Sequence, residues 1–434
     1  MAQTSGGQHA HKLSVAGLIV TLGIIYGDIG TSPLYVFKTI VHNKIITEQL
    51  VYGAISCVFW TLTLQTTFKY VLLTLRADNR GEGGIFSLFA LIRRYVKWIY
   101  IPAIFGAALL LAEGMITPPL SVSSAIEALK DVKGLETVFV PGNNLTVGIV
   151  FAIISLLFFF QRFGTKIVGF AFGPIMLVWF SMIFILGLIP VLGNIAILKS
   201  LNPYYAYDLL ANYPQGFWLL GAVFLCTTGA EALYSDLGHC GKDNIRVSWI
   251  YVKTCLLINY FGQGASLLSK YNGKLIDSTF KAETGIHAFY DLMPHWFIIA
   301  GVVIATSAAI IASQAMIAGA FTLISEAMRL NLWPRLKINY PSEERGQLFI
   351  PGMNLFMFFG CAFVVLYFRE SSKMEAAYGL AIIVTMIMTT LLFANYMVLH
   401  RVKPIYIYIF LAGYLTIEIA YLVALMDKFL HGGY

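Results

Sequence analysis

The stretch LGIIYGDIGTSPLY, residues 22–35, interrupts a run that otherwise has the composition of a membrane-spanning helix. Gly27 and Gly30 loosen the backbone, and Pro33 lacks the amide hydrogen that a helix interior needs. A charged Asp28 at the centre of a bilayer would also be costly. Lipid tolerates such residues where they line a polar pocket inside a helix bundle. The stretch therefore predicts a broken first span with a binding site at the break.

Composition sets the class of protein. Of the 434 residues, 58% are hydrophobic and only 12% are charged, whereas soluble domains carry about a quarter charged residues. The sequence therefore predicts an all-α polytopic membrane protein. The formal net charge of +7 comes from basic residues in short connections between apolar runs, so we expect no nucleic-acid partner. The cysteines lie singly, without metal-binding spacing, and are expected to be buried small side chains: Cys57, Cys226, Cys240, Cys255 and Cys361.

Apolar runs of about 20 residues predict about eleven helical spans. The predicted spans are 14–40, 50–75, 99–127, 145–161, 167–192, 215–237, 247–269, 296–328, 348–368, 374–399 and 404–426. We interpret residues 13–434 as a single transmembrane transport domain that follows an N-terminal tail, residues 1–12. The stretch 83–97 is apolar and then basic, which predicts an amphipathic segment on the membrane surface.

The distribution of basic residues predicts the orientation. Lysines and arginines concentrate in the connections that follow even-numbered spans, and the other connections offset theirs with acids. The positive-inside rule then places the N-terminus in the cytoplasm. We expect a multi-pass protein of the cell membrane, that is, of the inner or plasma membrane. The final residues, DKFLHGGY at 427–434, resemble the start of a loop, so we expect the sequence to be a piece of a longer chain.

Three carboxylates lie inside predicted spans and have hydroxyl residues nearby: Asp28, Glu113 and Glu231. Ionisable residues within a membrane face the bundle interior and are typical of ion or proton pathways. The repeat of four residues in Glu113, Thr117 and Ser121 predicts one shared helix face. Thr228 and Glu231 are three residues apart, so they would also lie together if their segment were helical. Asp28 is followed by Thr31, Ser32 and Tyr35.

Oxygen atoms from carboxylates, hydroxyls and freed backbone carbonyls are ligands for a hard cation. Sites for Mg²⁺ or Ca²⁺ gather more carboxylates and waters, so a weakly hydrated monovalent cation is favoured. Tyr35 would add a phenol oxygen or a ring face. A transition-metal substrate is disfavoured because no histidine or cysteine cluster accompanies these residues.

The sixth predicted span carries a second polar interruption, TTGAEALYSD at 227–236. Discontinuous spans at matching positions of two halves are typical of secondary transporters. Span 6 is the fifth span after span 1, so the pattern predicts two inverted five-helix repeats. We place these at about 13–192 and 215–399, with an additional helix at 404–426.

Several ordered motifs resemble those of the potassium uptake permease family, KUP/HAK/KT, in the APC superfamily. They are GIIYGDIGTSPLYVFK (23–38), RADNRGEGGIFSL (76–88), GAALLLAEGMITPPLSVSSAIE (106–127), TTGAEALYSDLGHCG (227–241), NYFGQGA (259–265), GQLFIPGMN (346–354) and AAYGLA (376–381). The resemblance implies a leucine-transporter-like fold in which helices 1 and 6 are discontinuous. It also implies that K⁺ is imported together with protons, as a symporter does, by alternating access. Family members usually have a twelfth helix and a C-terminal cytoplasmic domain, and this sequence stops before both.

The resemblance also implies which residues contact K⁺: Asp28, Tyr35, Glu113, Thr117, Thr228, Glu231 and Tyr378, with Ser121 as a further candidate on the helix-3 face. Glu231, then Glu113, then Asp28 are the candidates for proton coupling. We expect these three acids to lie close together in a poorly hydrated cavity, where desolvation and repulsion favour at least one proton near neutral pH. The expected partners are the potassium ion, the proton and the lipid bilayer, with a homodimer left open, and no cofactor is expected.

Three alternatives remain open from the sequence. A transporter of the same fold would carry another small cation or an amino acid, although three acids without a basic residue in the site region disfavour a carboxylate substrate. A channel-like K⁺ uniporter would need a filter motif, and no repeat of the Thr-Val-Gly-Tyr-Gly type is present. An intramembrane aspartyl protease would need a second catalytic aspartate, for which Asp236 is a poor candidate, so we do not expect an enzyme.

Overall fold

The fold is almost entirely helical. The computed structural model describes residues 13–79, 81–131, 139–163, 166–276, 288–340 and 348–430. Within these ranges the only sheet has two short antiparallel strands, β1 (Lys44–Ile45) and β2 (Leu275–Ile276), with Lys44 paired to Ile276. The predicted N-terminal tail, residues 1–12, lies outside the described residues.

The first half of the chain forms nine helices, several of them short pieces of longer spans. They are α1 (Val15–Ile24), α2 (Gly27–Thr31), α3 (Val36–Val41), α4 (Glu48–Thr61), α5 (Ile85–Ile92), α6 (Tyr100–Glu127), α7 (Asn144–Phe160), α8 (Lys166–Gly193) and α9 (Pro203–Asn212). A π-helical stretch, Leu62–Leu73, continues α4 within the same span.

The second half of the chain contains the remaining helices, of which five are long. They are α10 (Leu220–Val223), α11 (Ala230–Ser235), α12 (Leu237–Cys240), α13 (Lys242–Tyr271), α14 (Ile298–Arg329), α15 (Pro351–Phe368), α16 (Ser371–Leu399) and α17 (Pro404–Leu430). The most extensive helix pairs are α6 with α16, α8 with α13, α6 with α14, and α16 with α17. The central helix α6 therefore packs extensively on two other long helices, α14 and α16.

The first span is broken at the predicted place. The axis bends by 70° between α1 and the segment Gly27–Val41. A 3₁₀ turn, Ser32–Leu34, then separates α2 from α3, because the ring of Pro33 cannot continue the backbone hydrogen bonding.

Backbone carbonyls at this break are satisfied by side chains of other helices. Trp179 on α8 donates its indole N–H to the carbonyl of Gly30 at 2.9 Å. Gln263 on α13 donates to the carbonyl of Pro33 at 3.1 Å. Such partners are required because a freed peptide group inside a membrane is costly when it has none.

The sixth span is also interrupted. After α10 the chain passes through a 3₁₀ turn, Phe224–Thr227, and Thr228 then leaves helical geometry with ψ 141°. Gly229 has φ +79°, a left-handed conformation that glycine adopts without steric cost. Helix resumes at Ala230, so α11 starts in a new direction.

A helix occupies each predicted span, but the spans differ in length and polarity. Eight helices in the described part of the chain are long and apolar enough to cross a membrane, and nine are if the bent first pair counts as one span. Helix α7 has only 17 residues, and α13, at 30 residues, is long but more polar. The chain is thus a multi-pass, all-α membrane protein.

The prediction of a surface-lying amphipathic segment at 83–97 is wrong for its helical part. In α5, residues Ile85–Phe89 are buried in the protein. The helix packs against α6, α14 and α16. Its apolar face is covered by neighbouring helices, a contact that the local pattern of residues could not distinguish from lipid.

Candidate functional site

The break in the first span lies against α6 and α16. Tyr378 on α16 donates a hydrogen bond of 2.7 Å to Oδ2 of Asp28, which is only 3% exposed. Thr117 on α6 donates to the same Tyr378 hydroxyl oxygen at 3.3 Å. Three predicted site residues from three separate spans therefore form one buried hydrogen-bonded chain.

A second polar group lies at the contact between the two broken spans. The hydroxyls of Ser32 and Thr228 are 2.9 Å apart, and the Tyr35 hydroxyl lies 3.1 Å from Thr228. All three side chains are fully buried. The structure thus brings the predicted residues Tyr35 and Thr228 together, and it adds Ser32, which the sequence placed near Asp28 without a partner.

Gly229 makes the close approach of the two breaks feasible. A Cβ atom on this residue would lie 3.0 Å from Oδ2 of Asp28 and 2.9 Å from the backbone nitrogen of Ile29. Contacts this short would force the backbone or the Asp28 side chain to move. The glycine therefore serves both the left-handed turn and the juxtaposition of the two breaks.

Asp28 and Glu113 line the same cavity, which has a volume of about 60 Å³. The cavity extends past Ser235 and Asp236 to Glu326 near the end of α14. Within the part of the chain that the structure describes, Oδ1 of Asp28 and Oε2 of Glu113 are buried without a hydrogen-bond partner. Such orphaned oxygens are rare in folded proteins, and they are available to a cation or a proton.

Glu231 is bound elsewhere. Its carboxylate accepts a short hydrogen bond from the hydroxyl of Tyr70 in the π-helical stretch. Thr228 and Glu231 would lie together in a continuous helix, but the left-handed Gly229 between them interrupts the helix, so that condition is not met. Their side chains consequently have different partners.

The three predicted acids do not all line the cavity. Among the described residues, no group of three carboxylate, histidine or cysteine side chains is close enough to hold one metal ion. Asp28 and Glu113 line the cavity, whereas Glu231 is hydrogen-bonded to Tyr70 and only its neighbour Ala232 reaches the lining. Asp28 and Glu113 therefore share one cavity, and the convergence of all three acids stays a prediction.

Ser121 lies on the predicted face of α6. Because α6 is continuous from Tyr100 to Glu127, residues Glu113, Thr117 and Ser121 are stacked along one side. Ser121 is buried, and its hydroxyl has no hydrogen-bond partner among the described residues. The Ser121 hydroxyl is therefore available to bind a ligand in this region, but no hydrogen bond joins it to the other candidate residues.

Charged side chains make a further set of polar contacts on α6 and α16, beyond Ser121 and Tyr378. At the C-terminal end of α6, Glu127 accepts hydrogen bonds from the Ser371 backbone N–H at 2.8 Å and hydroxyl at 2.6 Å, and Lys38 lies 3.4 Å away. Nearby on α16, Glu375 accepts a 2.5 Å hydrogen bond from Thr39. These contacts tie the end of the first span to α6 and α16 beyond Tyr378.

Sequence reasoning overlooked two charged residues within predicted spans. Lys69 lies in the span predicted at 50–75 and Glu418 in the one at 404–426, and the structure buries both completely as an ion pair. The sequence did contain a signal for both residues, since each is a single charge in an apolar run. Tyr70, the partner of Glu231, gave no such signal.

The predicted burial of the five cysteines is confirmed, and all are free thiols.

These features define a polytopic membrane protein with a carboxylate- and hydroxyl-lined interior site at two helix breaks. The chain belongs to the family described as the K⁺ potassium transporter integral membrane domain, whose match covers residues 15–434. This is a family of transporters and not of enzymes.

Curated relatives agree with that assignment. The chain is 57% identical to a "Probable potassium transport system protein Kup" of Cytophaga hutchinsonii over 437 residues, which cover 98% of this chain and 64% of the relative. It is 49% identical to a protein of the same description from Clostridium perfringens, covering 98% of this chain and 65% of the relative. The chain therefore spans slightly less than two thirds of the length of these relatives.

Proposed function

We propose that this chain is the transport domain of a protein that takes up K⁺ across the cell membrane. The observation that carries the proposal is the Asp28 carboxylate, buried at a helix break with one oxygen bound by Tyr378 and the other unpartnered. Membership of the potassium transporter family, and the names of relatives at up to 57% identity, support K⁺ as the cargo.

The proposed K⁺ ligands are oxygen atoms around the two breaks. Asp28, Glu113 and Glu231 supply negative charge, and hydroxyls come from Tyr35, Thr117, Thr228 and Tyr378, with Ser121 as a further candidate. Hydroxyl and carboxylate oxygens replace the hydration shell of a weakly hydrated cation more readily than that of Mg²⁺. The orphaned oxygens of Asp28 and Glu113 support this placement, because a bound cation would satisfy both.

Coupling to the proton is assigned first to Glu231, then to Glu113 and Asp28. Glu231 is buried and hydrogen-bonded to Tyr70 rather than grouped with the other two acids. A carboxyl group in this position can exchange a proton while Asp28 and Glu113 keep their contacts with K⁺. Symport then requires that the fully loaded and empty states move, while the partly loaded states do not.

Alternating access would follow from a leucine-transporter-like arrangement of eleven spans, with inverted repeats at about 13–192 and 215–399. In this proposal, the cavity from Asp28 to Glu326 gives access from one end, and the contacts of Glu127 and Glu375 restrict access at the other. With the N-terminus in the cytoplasm, as the positive-inside rule predicts, the open end faces the cytoplasm. A homodimer is compatible with this proposal but is not required by it.

Uptake of ⁸⁶Rb⁺ into proteoliposomes tests the proposal directly. We expect uptake that K⁺ inhibits and that an inward proton gradient accelerates. Excess Na⁺ or amino acids should not compete, which would distinguish K⁺ transport from transport of other cargo by the same fold. Uptake that ignores the proton gradient would refute symport, and single-channel currents would favour a channel.

A further inference from the structure

Asn259 and Gln263, from the motif NYFGQGA at 259–265 on α13, form a chain of amide hydrogen bonds that the proposed K⁺ site does not include. The amide nitrogen of Gln263 donates to the backbone carbonyl of Pro33 at 3.1 Å and to Oδ1 of Asn259 at 2.8 Å. Asn259 in turn donates to the backbone carbonyl of Ile183 on α8 at 2.9 Å. This amide chain joins α8 and α13 to the break in the first span.

The two hydrogen bonds fix the orientation of the Gln263 amide group. Its nitrogen donates to two carbonyl oxygens, so an exchange of nitrogen and oxygen would set an acceptor against two acceptors. The side chains of Gln263 and Asn259 are both 0% exposed, so water cannot take over either bond from outside the bundle. The amide of Gln263 therefore has one position relative to the Pro33 carbonyl.

The amide chain stands on closely packed helices. The pair α8 and α13 is among the most extensive in the fold. A Cβ atom on Gly187 of α8 would lie 2.6 Å from the Cα atom of Asn259, so the two backbones are in direct contact where the chain begins. Helix α13 also contacts the 3₁₀ turn Ser32–Leu34. The Pro33 carbonyl is thus held from a rigid surface.

The Pro33 carbonyl is a useful point to hold because of what flanks it. The proline ring fixes φ at this residue, so the direction of its carbonyl depends on ψ alone. The hydrogen bond from Gln263 sets that remaining angle. Ser32 and Tyr35 lie on either side of the same peptide group, and their hydroxyls are 2.9 Å and 3.1 Å from the Thr228 hydroxyl. Holding one carbonyl therefore orients both hydroxyls.

The same face of α13 is more polar than helix packing requires. Oε1 of Gln263 and the hydroxyl of Tyr260, three residues earlier, are buried without a hydrogen-bond partner in the part of the chain that the structure describes. The ring of Tyr260 lies 6.0 Å from that of Phe37 on α3. A buried polar network with unsatisfied members is less stable than an apolar surface of the same shape. Stability alone therefore does not account for Gln263.

We propose that Gln263, supported by Asn259, is a positioning residue that sets the affinity and the cation selectivity of the proposed K⁺ site. It acts through Pro33, whose fixed carbonyl keeps the Ser32 and Tyr35 hydroxyls at one spacing. The inference rests on the proposed function. Oxygen atoms held in place replace the hydration shell of one cation better than that of a smaller or larger one, and a loosened set discriminates less.

Gln263→Met is the decisive variant. Methionine keeps the length of the side chain without the amide group, so the Pro33 carbonyl loses its donor. The KM for ⁸⁶Rb⁺ uptake should rise about 10-fold, with a much smaller change in the maximal rate. Inhibition by Na⁺ and Cs⁺ should strengthen relative to inhibition by K⁺. Asn259→Leu removes one of the two anchors of Gln263 and should shift both quantities in the same direction by a smaller factor.

Gln314→Met is a matched control. Gln314 is another buried glutamine in a membrane span, and its amide donates to the backbone carbonyl of Leu157 at 3.5 Å, which joins α14 to α7 rather than to a broken span. Its KM and ion preference should match those of the wild type. Equal increases of KM in both variants, or an unchanged KM and ion preference in Gln263→Met, would overturn the inference.

Binding can be scored without transport. Thermal stabilisation of the purified protein in detergent, titrated with K⁺ and with Na⁺, reports the affinity for each ion. The half-saturating K⁺ concentration should rise about 10-fold in Gln263→Met and stay unchanged in Gln314→Met. Gln263→Asn, which is one methylene shorter and cannot span both contacts, should show the same direction where Gln263→Met fails to fold. Wild-type protein that K⁺ neither stabilises nor competes with for uptake would refute the proposed function, whereas a normal wild-type response with unchanged Gln263 variants would overturn only this inference.

Discussion

Tyr378 and Asp28 are 350 residues apart in the sequence and are joined by a hydrogen bond of 2.7 Å inside the helix bundle. The bond fixes one carboxylate oxygen at the break of the first span and leaves the other oxygen unpartnered among the described residues. The bond orients the carboxyl group of Asp28, which in the proposed K⁺ site supplies negative charge to the cation.

Asp28→Asn should abolish K⁺ uptake while the protein still inserts and folds. The amide has nearly the same shape but no charge to balance a cation, and one of its two hydrogen-bonding atoms becomes a donor. The measurement is growth in K⁺-deficient medium together with ⁸⁶Rb⁺ uptake. Asp208→Asn is the control, because this aspartate on α9 is hydrogen-bonded to nearby polar groups, Gln49 and Asn212. Robust uptake by Asp28→Asn would remove Asp28 from the site.

Tyr378→Phe should weaken apparent K⁺ affinity by about 10-fold, since it deletes the donor to a buried carboxylate. The phenylalanine ring preserves packing against α6, so the maximal uptake rate should change much less than the KM. Tyr414→Phe on α17 removes a comparable hydroxyl, one that donates to the backbone of Leu64. An unchanged KM in Tyr378→Phe, beside an unchanged Tyr414→Phe control, would contradict a ligand-positioning role.

Gly229→Ala should abolish uptake. The added methyl group would press on Asp28 and on the backbone of Ile29, and a left-handed alanine costs about 1–2 kcal/mol. Gly273→Ala separates the two effects. Gly273 has nearly the same φ, +77°, with nothing within 4 Å of its Cβ position, so this variant carries the backbone strain alone. Equal loss in both variants would show that the contact with Asp28 is unimportant.

His239→Gln should lower thermal stability more at acid pH than at alkaline pH. His239 lies after the sixth span, and the Asp236 carboxylate 3.4 Å away raises the pKa of His239 despite its burial. A raised folded-state pKa stabilises the protein below the ordinary histidine value and contributes nothing once the pH rises through the folded-state pKa. Unfolding temperatures in detergent at low and high pH measure the difference, and equal losses at both pH values would exclude this ion pair as the cause.

The sequence predicted the breaks well because their causes are local. Gly27, Asp28, Gly30 and Pro33 disfavour a membrane helix wherever they stand, and the helix face of Glu113, Thr117 and Ser121 follows from helix geometry alone. The side chain of Thr228 could not be placed, because its direction depends on the left-handed turn at Gly229.

Partners far apart in the sequence were beyond sequence reasoning. Lys69 and Glu418 are separated by 349 residues, and each is visible in its span only as a lone charge. Nothing local indicates that one satisfies the other, or that Tyr70 beside Lys69 binds Glu231. The same limit applies to α5, because the local pattern of residues is the same whether its apolar face contacts lipid or protein.

Glu231→Gln should affect the pH dependence of uptake most strongly. Glutamine keeps a hydrogen bond with Tyr70 available, but it cannot exchange a proton. We expect ⁸⁶Rb⁺ uptake that no longer responds to an inward proton gradient, and no proton movement with K⁺. Tyr70→Phe is the companion variant, because it preserves the carboxyl group and deletes only its donor. This variant should keep a pH-dependent uptake with a displaced midpoint. An unchanged ratio of protons to K⁺ in Glu231→Gln proteoliposomes would transfer the coupling role to Glu113, whose carboxylate lies in the cavity with Asp28.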